Sequence, residues 1–428
     1  MKVEIVLLLV FFFNTFVVRG RSSSIIKQEA ELRRVSTGGE DIATVGEESL
    51  NASKLAVRAG TGTFSVKSYG AKSDGKTDDS KSFQLAWQAA CGASGSPKLL
   101  IPPGTYLVGP IEFTGPCSNA YSGNLIATTN LAQYGKGDYW ILFSWVNGLN
   151  FIGAGGTFDG QGASAWPKNQ CSTRRDCVRL PVNLLFVAVT NSVVRNLRSV
   201  NSKSFHIGMV DCTNIQMFGL NIIAPGNSPN TDGIHIERSS WVTIEQSLIA
   251  TGDDCVSIGQ GSTHVTISGV TCGPGHGISI GSLGRYLNEG DVRSITVKFC
   301  NFTGTMNGVR IKTWQNSPSP SVVNNITFDN NFMNNVGNPI IIDQTYCPSQ
   351  QCAHMAPSRV KLQDITFRNI RGTTSTPEAV KLICSSALPC QNVILQDINL
   401  QYSAGSKSEC QNVYPRYAGI QIPPPCGQ

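Results

Sequence analysis

The chain has 428 residues and a formal net charge of +6, from 34 basic and 28 acidic residues. Charged residues make up only 14% and hydrophobic ones 40%, which excludes an intrinsically disordered chain. No basic run or arm occurs, which excludes the usual nucleic-acid binder, and the mild cationic excess fits an anionic matrix or substrate.

Met1–Gly20 has a charged start and an apolar run from Ile5 to Val10 that continues through Phe13. This is the pattern of a secretory signal peptide. Asn14 and the shortness of the run make it a poor membrane span, so no membrane association is expected after its removal. Residues 21–60 are polar, with six basic and six acidic residues, and read as a flexible leader or propeptide. One domain is expected over residues 61–428.

That domain opens with strand-like Phe64-Ser65-Val66 and the turn and helix-start signals Asp74-Gly75 and Asp78-Asp79. Phe83, Leu85, Ala86 and Ala89-Ala90 then predict a short amphipathic helix. Leu99-Leu100-Ile101 and Tyr106-Leu107-Val108 are strands around Pro102-Pro103-Gly104. One helix followed only by strands looks like a cap on the end of a solenoid.

From about Trp140 onward, short β-branched runs recur. One series includes Asn214-Ile215-Gln216-Met217, Trp241-Val242-Thr243-Ile244 and His264-Val265-Thr266-Ile267. A second lies between them, including Phe205-His206-Ile207, Ile234-His235-Ile236, Val256-Ser257-Ile258, Ile278-Ser279-Ile280, Val309-Arg310-Ile311 and Ile340-Ile341-Ile342. The period is mostly 22 to 31 residues, which marks a repeat architecture. The runs are too short for helical repeats and lack the regular Leu of leucine-rich ones. The prediction is all-β: a single-domain right-handed parallel β-helix of roughly ten coils with a short N-terminal capping helix. In each triplet the apolar residues fill the interior and the central polar residue faces outward.

Asp232, Asp254 and His276 are spaced 22 residues apart, twice, each just ahead of a triplet. On stacked coils ~4.8 Å apart they form a ladder on one face, with Asp253 beside Asp254. Carboxylates this close cannot all ionise freely, and repulsion raises the pKa of one. A protonated acid with an ionised base is what inverting glycoside hydrolysis needs, at ~6.5–9.5 Å separation. Arg310 and Lys312 alternate along the next strand, so both are expected on the outer face, with Tyr346 a coil further on. A guanidinium, an ammonium and a phenol beside carboxylates suit a sugar that itself bears a carboxylate. His206 and His235 read as ordinary outward or ladder residues, and His264 and His354 as structural.

Asn230-Thr231-Asp232, Gly252-Asp253-Asp254, Gly275-His276-Gly277 and Arg310-Ile311-Lys312, in this order and spacing, resemble the four signature motifs of polygalacturonases. These are pectin-cleaving glycoside hydrolases, and the resemblance covers about residues 64–428. It implies hydrolysis of α-1,4-linked galacturonan with inversion. It implies Asp253 as general acid, Asp232 and Asp254 holding and deprotonating the water, and His276 supporting the acid and the sugar. Asn230, Gly277, Arg310, Lys312 and Tyr346 are the implied substrate-binding residues. The implied partner is polygalacturonate or pectin, met by a secreted monomer in the cell wall, with no cofactor and no metal. Cys255 and Cys272 match a family disulfide. The loop Gln350–His354 and the Cys384/Cys390 pair look closest to the plant pollen-type branch, often exo-acting, but motifs common to the family do not separate exo from endo. A rhamnogalacturonan hydrolase is a close rival. A pectate lyase needs a Ca²⁺ cluster, and the Gly-His-Gly and Arg-Ile-Lys motifs argue against it. A wall-binding protein without activity would lack a carboxylate, and none is missing.

Fourteen cysteines in a secreted chain imply disulfides. Cys171/Cys177, Cys347/Cys352, Cys384/Cys390 and Cys410/Cys426 are near neighbours in sequence. No Cys-x-x-Cys pair occurs to suggest a metal site. Asn51, Asn301 and Asn325 begin glycosylation acceptor triplets.

Overall fold

The computed structural model describes residues 62–426, except 116–119, 122–123, 136, 170–179 and 349–354. The signal peptide, the leader, Asn51, Cys171, Cys177, Cys352, His354 and the Gln350–His354 loop lie outside the described residues. The predicted helix is α1, Ser80–Cys91. Its buried face is Phe83, Ala86, Trp87 and Ala90, the i, i+3, i+4, i+7 stripe of a helix lying on a core. Leu85, expected on that face, falls off the stripe and is 40% exposed; Trp87 takes the inward position instead. The Trp87 ring meets Phe113 at 4.8 Å and Phe143 at 5.9 Å, and its Nε1 donates to the Thr114 carbonyl, so α1 packs on the first coils.

Among the described residues, everything after α1 is strand and turn, apart from short 3₁₀ turns. The strands stack in parallel into a parallel β-helix, as expected. One of its sheets has eleven strands. Six successive members carry the chemistry: β1 (Ile207–Val210), β2 (Ile234–Glu237), β3 (Val256–Ile258), β4 (Ile278–Leu283), β5 (Asn307–Trp314) and β6 (Asn338–Tyr346). Their register aligns Met209, Ile236, Ile258, Ile280, Ile311 and Ile342 in one file. All six are buried, and the file continues upstream through Phe186, Phe143 and Phe113. A one-residue slip would turn the whole file to solvent, so this apolar column pins the register of everything outside it.

The other faces bend by a repeated device. Asn191, Asn214, Trp241, His264, Ser294, Asn325, Asp364 and Asn392 all have φ between 50° and 58°, one per coil. The pairing skips each of them, Ser240 with Thr263 and Val242 with Val265 for example. Asn and Asp dominate because they tolerate the left-handed region best after Gly. At Asn191 and Asn214 the amides chain from coil to coil at 2.8 Å. At Trp241 and His264 the rings stack instead, 4.1 Å apart, which is the role His264 plays.

Disulfides join Cys255 to Cys272, Cys384 to Cys390 and Cys410 to Cys426, in agreement with the sequence reading. Cys91 and Cys347 are also disulfide-bonded, while Cys212 and Cys300 are buried free thiols. Asn301 and Asn325 are exposed. Among the described residues, no helix is long and apolar enough to cross a membrane.

Candidate active site

The apolar file fixes the positions just ahead of each strand. Because Ile234, Val256 and Ile278 pair directly, Asp232, Asp254 and His276 share one register position on three adjacent coils, as the spacing predicts. Phe205 holds that position one coil earlier, and Asn307 and Asn338 hold it on the two coils after. Side-chain amides continue the ladder: Asn338 donates to Asn307, which donates to the His276 carbonyl, both at 3.1 Å.

The turns between coils leave no room for side chains at two motif positions. A Cβ on Gly252 would lie 2.0 Å from the Ser228 carbonyl oxygen. Gly277, at φ 86°, would bring one within 2.2 Å of the Asn307 oxygen. Thr231, fully buried, accepts from the Gly252 N–H at 3.0 Å, tying the first motif to the second.

The carboxylates are then held individually. Ser257 Oγ donates to Asp232 Oδ2 at 2.7 Å, and Ser279 Oγ donates to Asp254 Oδ1 at 2.8 Å. Each aspartate is thus gripped by the outward serine of the next coil. Ser257 and Ser279 face outward as expected, yet they are only 2% and 0% exposed, because they lie beneath the carboxylates they bond. His235 Nδ1 meets the same Ser257 hydroxyl at 2.8 Å, so His235 belongs to this network rather than to the plain strand surface. His206, also expected on the outer face, is fully buried against Ser199, and burial lowers its pKa to about 3, so it stays neutral.

The largest revision concerns Lys312. It was expected beside Arg310 as an outward cation for the sugar. Instead it is 7% exposed and its Nζ bonds Asp254 Oδ2 at 2.6 Å. A buried ammonium needs a buried partner, and Asp254, two coils away, is that partner. Arg310 does remain near the surface, 3.5 Å from Asp343 and 5.1 Å from the Tyr346 ring, and Lys312 lies 5.4 Å from the same ring.

The electrostatics follow from this packing. Burial, with the charges of Asp253 and Asp254, pushes Asp232 well above the usual carboxylate range, against the opposing effects of Lys312 and Ser257. Burial alone would raise Asp253 too, but His276 outweighs it. His276 Nδ1 sits 2.9 Å from Asp253 Oδ1 and, with Lys312, holds that carboxyl below its usual value. The same hydrogen bond raises His276 above the ordinary imidazole range despite its burial. Burial would lower Lys312, but Asp254 and Tyr346 more than offset it, so the ammonium is strengthened. Burial raises Tyr346. Two carboxyls of one cluster are thus driven in opposite directions, with Asp232 favouring its protonated form and Asp253 its ionised form, the reverse of the roles the motifs imply; the proton nearest Asp253 is carried by His276.

Asp253, Asp254 and His276 bring one donor atom each within 4.8 Å of one another, a set with the chemistry to hold a metal ion. In this arrangement the Lys312 ammonium already supplies the positive charge. Asp253 and Asp254 thus approach more closely than the ~6.5–9.5 Å expected between an inverting pair. Asn230, at φ 54°, lies beside this group, and the Asn169 amide contacts both its Oδ1 and the Pro229 carbonyl oxygen, at 3.5 and 3.4 Å.

Residues 91–419 match the model of the Glycosyl hydrolases family 28. The chain is 48% identical over 375 residues to an exopolygalacturonase of Platanus acerifolia, covering 86% of this chain and 98% of that one. It is 46% identical over 367 residues to a polygalacturonase of Gossypium barbadense, covering 84% and 89%. Among solved structures it resembles a polygalacturonase from Erwinia carotovora, with TM-score 0.68, 25% identity and coverage of 88% and 100%. It also resembles in fold an endo-xylogalacturonan hydrolase from Aspergillus tubingensis, with TM-score 0.72, 24% identity and coverage of 83% and 100%. On the strength of the family match and these relatives, the chain belongs to glycosyl hydrolase family 28.

Proposed function

We propose that the protein is a secreted exo-acting polygalacturonase that hydrolyses α-1,4-galacturonosyl linkages of pectin with inversion. The observation that carries this reading is the gathering of Asp232, Asp253, Asp254 and His276 from three coils into one group, with Asp253 hydrogen-bonded to His276 and Asp232 coupled by charge to Asp253 and Asp254. His276 holds Asp253 ionised in the free enzyme, so Asp253 acts as the acid by taking the His276 proton along their 2.9 Å bond and passing it to the glycosidic oxygen as that bond breaks. Asp254, held between Lys312 and Ser279, takes the proton of the attacking water, which it shares with Asp232. Asn230, Gly277, Arg310, Lys312 and Tyr346 form the surroundings of the sugar. Arg310 meets the uronate directly, while Lys312 acts on it from beneath through Asp254 and Tyr346.

Exo action is supported by the naming of the plant relatives and by one contact. The turns Gly162–Ser164 and Trp166–Lys168 lead to Asn169, which rests on Pro229 and Asn230 on the upstream side of Asp232. On this reading the terminal sugar sits at that end, with the rest of the substrate running toward β5 and β6. The disulfides suit an oxidising compartment, in keeping with removal of residues 1–20 on export and with action in the cell wall. Proton nuclear magnetic resonance of the first products from polygalacturonate tests the reading. Monomeric galacturonate released in the β configuration supports it. Mixed oligomers as first products show endo action, the α anomer shows retention, and an unsaturated product shows a lyase.

A further inference from the structure

Beyond the four motifs, the sheet carries a second cationic and aromatic group. Trp314, at the end of β5, packs edge-on against Tyr346 at 5.2 Å. Arg285 also lies against this ring, its guanidinium 4.9 Å from the Trp314 ring centre and 5.5 Å from that of Tyr286. Contacts therefore run without a gap from Asp254 through Lys312, Tyr346 and Trp314 to Arg285.

Arg285 and Tyr286 lie in the loop that follows β4, and that loop is built to hold a shape. The Glu289 carboxylate accepts from the backbone N–H groups of Gly284 at 2.6 Å, and of Arg285 and Tyr286 at 2.8 Å each. Arg285 thus has a fixed root and a flat aromatic bed, which limits the entropy lost when it grips a ligand. It also differs from its neighbours. Lys312 is neutralised by Asp254 and Arg310 faces Asp343. Among the described residues, no carboxylate lies within ion-pair distance of the Arg285 guanidinium, which is exposed.

We propose that Arg285, braced by Trp314 and Tyr286, binds the carboxylate of the second sugar on the leaving-group side, one residue beyond the unit held by Arg310 and Tyr346. The proposal rests on the polygalacturonase reading above. A guanidinium suits it because its fork matches a carboxylate bidentately while its face stacks on indole. A uronate polymer that leaves the catalytic group across Tyr346 meets Arg285 next, so binding strength extends past the cleaved bond.

The test compares digalacturonate, which ends before this subsite, with trigalacturonate, which reaches it. In Arg285→Gln the ratio of trimer to dimer kcat/KM is expected to fall about ten- to a hundredfold, the worth of a charged hydrogen bond. The loss appears mainly in KM. Added salt lowers the trimer-to-dimer ratio of the wild type and leaves that of Arg285→Gln nearly unchanged, because the charge specific to the trimer is gone while Arg310 acts on both oligomers alike. Arg285→Lys, which keeps the charge but not the fork, recovers part of the ratio. An unchanged ratio, with both oligomers hydrolysed, overturns this assignment alone. Failure of the wild type to hydrolyse either oligomer overturns the function reading and this assignment with it.

Discussion

Ser257 and Ser279 offer a sharp test of how the site is assembled. Each is the outward residue of an apolar triplet, and each spends its hydroxyl on a buried catalytic carboxylate, at 2.7 and 2.8 Å. A hydrogen bond to a charged group contributes ~1.5–3 kcal/mol. If that stabilisation acts on the reacting geometry, Ser279→Ala lowers kcat by about 10- to 150-fold, at ~1.36 kcal/mol per tenfold. Ser257→Ala is expected to lose less, about two- to tenfold, because Asp232 favours its protonated form and the bond lost is to a neutral group, although the change also cuts the link from His235 to Asp232. The inner file of Ile236, Ile258 and Ile280 is untouched, so melting temperatures should fall by only a few degrees. Ser262 is an internal control: it is equally buried, but its hydroxyl faces the Ile236 carbonyl at 3.4 Å instead of a carboxylate. The assay is reducing-end release from polygalacturonate, with kcat and KM resolved. Both variants within twofold of wild type, or Ser262→Ala losing as much as Ser279→Ala, would refute the reasoning.

Two further outcomes follow from burial and covalent bracing. Asp232 is raised well above its ordinary value of 3.8. The folded state therefore binds a proton that the unfolded chain has lost, and this contribution to stability is present at low pH and lost as pH rises through the raised value. Asp232→Asn has no such loss, so it should be inactive yet gain stability relative to wild type as pH climbs from 4 to 7, in urea melts. A gain that shrinks over that interval is the contrary result. Cys255 and Cys272 close a loop with a sequence separation of 17 beneath the central coils. Replacing both by Ala should cost ~3 kcal/mol of stability in the chain-entropy picture, measured by denaturant unfolding. An unchanged midpoint would show that the stacked coils hold this loop without it.

What could be read from the residues was whatever repeats locally. Each Ile-x-Ile triplet declares its own inward pair, so Ile236, Ile258 and Ile280 align once the chain is wound, and Asp232, Asp254 and His276 align with them. The pairings that tune the site are between coils and leave no local trace. Lys312 lies 58 positions from Asp254, and alternation along its strand suggested only an outer face. The same alternation turned Ser257 and Ser279 outward but left their burial unread, because a period of two says which side a residue takes but not what covers it. The distinction was available in one respect: serine in place of a charged residue at an outer position hints at a close neighbour. His276 bonds the adjacent turn's Asp253 rather than Asp254, its ladder mate. In α1, Leu85 outweighed Trp87 as an apolar marker until the helical phase was fixed by Phe83.

The account stands or falls on Asp253 as the proton donor at a site assembled from separate coils. Reducing-end release from polygalacturonate by wild type and by Asp253→Asn addresses it directly. The substitution keeps the shape and removes the titrating oxygen, so a loss of at least ~10²–10⁴-fold is expected with substrate binding retained. Equal activity in the two proteins would contradict the account.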